Sequence, residues 1–169
     1  MSRAFVNEER VEERPEARAR GGGLPPGTPN LVTPWSAERH RSELAALHTE
    51  RDALAGASSG VDIARLADVE AEIRELEAYI PSLQVIEPPA SPVRVAFGTR
   101  VRIEGPGMKR TVDVVGVDEA DPAQGRVSFL APLARALLGA AVGDTVTART
   151  PAGEEEWEIT AIGPAHPPK

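Results

Sequence analysis

Few side chains in this chain have the types and spacing to do chemistry of their own. The three histidines, His40, His48 and His166, show no metal-ligand spacing, and a surface or helix-seam place suits each better. Cysteine is absent, which excludes disulfides, thiolate ligands and a thiol nucleophile, and fits a reducing compartment. Asp118-Glu119-Ala120-Asp121 has the letters of a helicase motif. No G-x-x-x-x-G-K-[ST] phosphate loop accompanies it, and its place before Pro122 and Gly125 makes it a turn between strands. Gly21-Gly22-Gly23 follows no strand and opens no helix, so it is not built to cradle a phosphate. No catalytic constellation and no cofactor site emerges from these residues.

The elements that must position anything else follow from patterning. At 169 residues the chain suits one or two small domains. Its formal charge of −7 argues against a general nucleic-acid binder and against direct sequence-specific DNA binding, which would carry a basic stripe. No apolar run approaches a membrane span or a signal-peptide centre, so a cytoplasmic protein with no membrane partner is expected. Residues 1–30 read as a disordered tail. Glu and Arg alternate from Glu8 to Arg20, Pro25, Pro26, Gly27 and Pro29 break regular structure, and Phe5, Val6 and Val11 bury too little to offset ordering entropy.

Residues 31–86 read as an antiparallel coiled-coil hairpin. Thr33-Pro34 is a helix start, and Leu44, Leu47 and Leu54 recur at coiled-coil spacing, with His40 and Arg51 filling seam positions. A loop at Gly56–Gly60 leads to Leu66, Val69, Ile73, Leu76 and Ile80, and Pro81 ends the series. Residues 87–92 are a linker by composition. Over residues 93–163 the period becomes two: Val93/Val95/Phe97, Val101/Ile103, Val112/Val114, Val127/Phe129, Val146/Ala148 and Trp157/Ile159/Ala161 alternate. Turns fall at Asp121–Gly125 and Thr150–Gly153, and residues 164–169 form a short tail. Pro132 at a first helical turn and Gly139 at a left-handed cap bound one short helix, with Leu133, Leu137 and Leu138 on one face. The expected fold class is α+β: a helical hairpin followed by a small antiparallel sheet covered by one helix.

The run Ala131-Pro132-Leu133-Ala134-Arg135-Ala136-Leu137-Leu138-Gly139-Ala140-Ala141-Val142-Gly143-Asp144 resembles the S-P-L/M-A-R-A-L-L-G-x-x-V-G-D helix of the Gre transcript elongation factors (GreA/GreB). The resemblance extends through Val115–Asp121, Thr150–Glu154 and Trp157–Ile159, and covers most of 97–162. It implies that the sheet is FKBP-like and that the partner is bacterial RNA polymerase core, bound at the rim of its secondary channel. It further implies docking through the positions of Leu130, Ala131, Pro132 and Leu133. Pro132 and Leu133 match the pattern, whereas Leu130 and Ala131 replace its polar pair. For Leu133 alone, core packing is the favoured role. In the family an acidic pair at the hairpin tip helps to hold the second catalytic Mg²⁺ of polymerase, a hard cation that takes oxygen ligands. Here the tip holds Asp52, Ser58, Ser59, Asp62 and Arg65. Asp62 stands where the first carboxylate would, but Arg65 occupies the place of the second, where a cation would repel the metal. Asp52 substitutes only if the two helices present both carboxylates together. The family's hairpin is also several turns longer.

Three function classes follow. The leading one is a non-enzymatic elongation regulator that occupies the channel mouth without stimulating transcript cleavage, with the short-hairpin regulators of nucleoside diphosphate kinase as its nearest variant. A cleavage-stimulating factor with an unusual, Mg²⁺-dependent tip is the close alternative. An FKBP-like peptidyl-prolyl isomerase or chaperone needs an aromatic-lined pocket, yet Phe97, Phe129 and Trp157 all sit at positions expected to face the core. A plain coiled-coil adapter is disfavoured by the short seam.

Overall fold

The computed structural model describes residues 22–56, 58–151 and 153–168. Most of the segment expected to be disordered, residues 1–21, therefore lies outside the described residues.

Helix α1 (Pro34–Leu54) and helix α2 (Gly60–Tyr79) form the hairpin. Proline at its first position starts α1. Ser59 caps α2 by accepting from the Asp62 amide at 3.1 Å. The seam is as the spacing requires: Leu47, Val69, Ile73 and Leu76 are buried together, with Leu44, Leu54 and Ile80 packed around them. His40 takes its seam position, buried and edge-on to Tyr79 at 5.4 Å between ring centroids.

The hairpin does not begin or end freely. Asn30–Val32 forms a strand, β1, that pairs in parallel with β2 (Leu83–Val85) beneath the two helices. Val32 is fully buried, and Asn30 donates its side-chain amide to Ser82 Oγ at 3.2 Å. The expected tail thus ends before Asn30, and the hairpin segment contains strand as well as helix. Three-residue strands are too short to show a period of two.

Five strands build the second part: β3 (Thr99–Gly105), β4 (Met108–Val115), β5 (Arg126–Ser128), β6 (Thr145–Thr150) and β7 (Gly153–Pro164). Their order across the sheet is β5-β4-β3-β7-β6. Helix α3 (Pro132–Leu137) covers one face. Val101, Ile103, Val112, Val114, Trp157 and Ile159 point beneath it, with Ala134 and Leu137 of α3 closing the core. Architecture and class are α+β: a helical hairpin and a sheet with one short helix.

Four expectations are corrected here. The sheet is mixed rather than antiparallel, because β5 runs parallel to β4. Val93–Phe97 is not a strand. Val95 exchanges backbone bonds with Gly139 and Ala140 beyond α3, both at 2.8 Å, and the Ala96 carbonyl accepts from Thr99 Oγ1 at 2.7 Å. Pro164 and Ala165 do not belong to the expected tail, since Pro164 ends β7 and Ala165 is buried, its N–H donating to Gly98 O at 2.8 Å. Composition marked that segment as irregular, but its backbone finds partners outside it, the Ala165 N–H on Gly98 and the His166 carbonyl accepting from Arg126 Nη1 at 3.4 Å. Leu138 also turns outward, because α3 stops at Leu137 and Gly139 adopts φ +84° directly after it.

Candidate functional site

Two places carry the expected residues: the tip of the hairpin and the start of α3. At the tip each charge has a local partner. Asp62 accepts from Ser59 Oγ at 2.7 Å while Ser59 Oγ accepts from its amide, so this carboxylate is part of the start of α2. Asp52 accepts from its neighbour Arg51, at 2.7 Å from Nη2. Arg65 reaches across the hairpin and grips Glu50 with two bonds, 2.7 and 3.0 Å, and approaches Glu72 at 3.4 Å. The bond to Arg65 holds the Glu50 carboxyl below its usual range, and the same bond raises Arg65.

Asp52 and Asp62 thus serve different partners on different helices. Among the described residues, no group of three or more His, Asp or Glu side chains is placed to hold a metal ion. Arg65, at the place of the family's second carboxylate, is ion-paired. Glu50, fifteen residues earlier, balances it, and Glu50 is a tip-proximal residue that local reading passed over. Ser58 and Ser59 are exposed. So are Val61 (80%) and Ile63 (54%), which fall off the seam register and leave the leading edge of the tip apolar.

At α3, Pro132 is exposed, and Leu130, Ala131 and Leu133 are half-buried. Ser128 shapes the approach: its Oγ accepts from the Leu130 amide at 3.2 Å and its carbonyl from the Ala131 amide at 2.8 Å. Leu133 and Ala131 pack against the sheet core. Pro132 is therefore the residue of the four that a partner could reach most directly. The aromatic side chains of this half are turned into the fold. Trp157 is fully buried, and Phe97 and Phe129 stack edge-on at 5.9 Å.

The segment carrying both α3 and the sheet, residues 90–164, matches a family model described as transcription elongation factor GreA/GreB, C-terminal. The match to a GreA of Alkalilimnicola ehrlichii reaches further, with 39% identity over 150 residues, 78% of this chain and 95% of that one. The chain belongs to the GreA/GreB family. It is a transcription elongation factor, and its likeness is not confined to GreA. A GreB of Pseudomonas aeruginosa is 36% identical over 155 residues, covering 80% of this chain and 90% of the relative. Among solved structures, the GreA factor homolog Gfh1 of Thermus thermophilus aligns with 26% identity over 80% of this chain and 99% of that one, at a TM-score of 0.38. Among the described residues, no helix is long and apolar enough to cross a membrane.

Proposed function

We propose that this elongation factor docks on RNA polymerase at the rim of the secondary channel through the α3 surface, and occupies the channel without stimulating transcript cleavage. The commitment of the tip charges supports the reading most. Mg²⁺ is held through carboxylate oxygens presented together, whereas Asp52 and Asp62 are each turned to a neighbour on their own side of the loop. Placement of a catalytic metal tolerates errors of about an ångström at most, so two carboxylates in separate local networks are poorly suited to the task.

Length adds an independent argument. Helix α1 has 21 residues, about 31 Å at 1.5 Å per residue. The family's hairpin, as the resemblance implies, is several turns longer and carries its acidic pair in the stretch that this hairpin lacks. The regulator acts by occupancy, competing with cleavage-competent factors for the channel, and is not itself an enzyme.

The deciding experiment is a stalled, backtracked elongation complex incubated with the protein and Mg²⁺ and scored for shortened transcripts. No shortening is expected, together with slower cleavage when a competent GreA is added. Mg²⁺-dependent shortening that disappears in Asp62→Ala would overturn the reading in favour of a cleavage factor whose tip rearranges on polymerase.

A further inference from the structure

We propose that the acidic turn Asp118–Asp121 is a clamp that fixes the direction of the hairpin relative to the docking surface. The turn grips the root of each helix with a different carboxylate. Glu119, 5% exposed, accepts at Oε2 from the Thr33 amide at 3.0 Å and the Gly116 amide at 3.1 Å. Its Oε1 accepts from Thr33 Oγ1 and lies 3.4 Å from Arg126 Nη2. Thr33 is fully buried and immediately precedes α1. Asp118, one residue earlier, accepts from the hydroxyl of Tyr79, the last residue of α2. Asp121 fixes the other end of the turn in the sheet, accepting from the Ala123 amide and Gln124 Nε2 and exchanging two backbone bonds of 2.9 Å with Arg126.

Two neighbouring observations point the same way. A Cβ on Gly116 would stand 2.5 Å from Leu31 O and 2.8 Å from Glu119 Oε2, so the close approach of β1 to this turn needs glycine. Arg126, buried like Glu119, donates Nε to Glu119 O at 3.1 Å and lies 5.9 Å over the ring of Trp35 in the first turn of α1. A buried carboxylate that satisfies several donors is costly to disturb, because losing it orphans every partner at once.

The consequence for action rests on the occupancy reading above. A lever of about 31 Å that turns by about 10° at its root carries its tip roughly 5 Å sideways. Glu119, Asp118, Thr33 and Tyr79 are therefore positioning residues, which convert docking at α3 into a defined place for the tip.

The chain has no cysteine, so Ser58→Cys at the tip and Thr147→Cys on β6 give a unique pair of spin labels on the full-length protein. Double electron–electron resonance should return one narrow distance distribution. In Tyr79→Phe with Glu119→Gln it should broaden at least twofold, while the far-ultraviolet circular-dichroism spectrum stays that of wild type. Tyr79→Phe alone, which loses only a hydroxyl and keeps the ring against His40, should broaden it measurably even if the double variant folds poorly. A distribution as narrow as wild type in folded variants would overturn the clamp. With polymerase, the variants should dock within about threefold of wild type and lose at least tenfold in competition against a cleavage-competent factor. Broadened distances with undiminished competition would leave the clamp standing and overturn the occupancy reading instead.

Discussion

At the scale of single residues, the tip owes its character to pairing rather than to composition. Glu50 and Arg65 are both exposed, so their bond is worth little in isolation and is screened by salt. Its sign with pH is nonetheless fixed. The folded-state carboxyl of Glu50 is depressed below its reference value of 4.5, so its support is complete above that value and is lost as pH falls through the folded value. The small thermal deficit of Arg65→Gln at neutral pH should therefore shrink as pH is lowered from 5 to 3, read by circular dichroism. A deficit that grew on acidification would refute the pairing. In the sheet the largest fully buried side chain is Trp157, 1% exposed in the core it shares with Ile103 and Leu137. Trp157→Ala should cost about 3–5 kcal/mol by chemical denaturation, as large-to-small changes do in a closed core.

Among the elements, α3 joins packing and proposed docking in one short piece, and substitutions can separate the two. Leu133 is half-buried against the core, so Leu133→Ala should lower stability by roughly 1–2 kcal/mol before it says anything about a partner. Pro132 is exposed at the first position, so Pro132→Ala should leave the melting temperature within about 2 °C and weaken polymerase binding several-fold in a pull-down titration. Unchanged affinity would remove Pro132 from the docking surface. Helices and longer strands were legible in the sequence because their periods repeat often enough to stand above chance. The seam from Leu66 to Ile80 spans four turns. By contrast, β1, β2 and β5 have three residues each, and nothing within Asn30–Val32 distinguishes a buried strand from the end of a tail. The tip residues were legible as types, but the Glu50–Arg65 bond and the grip of Glu119 on Thr33 join positions 15 and 86 apart in sequence. Such bonds are set by tertiary packing, which local pattern does not encode.

At the scale of the whole molecule, the boundary of the folded part lies before β1 rather than after it. Removing residues 1–21 should change the melting temperature by less than about 4 °C, roughly 1 kcal/mol for a molecule of this size. Removing residues 1–33 should cost far more, because Val32 and Thr33 are fully buried and Thr33 meets Glu119. Equal stability of the two truncations would mean that the root adds nothing to the fold. The position of β7 has a consequence for how the molecule comes into being. The strand made last lies inside the sheet, between β3 and β6, so the β3 edge has no neighbour on that side until Gly153–Pro164 has left the ribosome. The hairpin, whose contacts are local, can collapse during synthesis, whereas the sheet must wait for its final strand and then close in one step. Until then the nascent chain carries the open edge of β3, and chains stalled before Gly153 should be the species that chaperones hold and proteases cut.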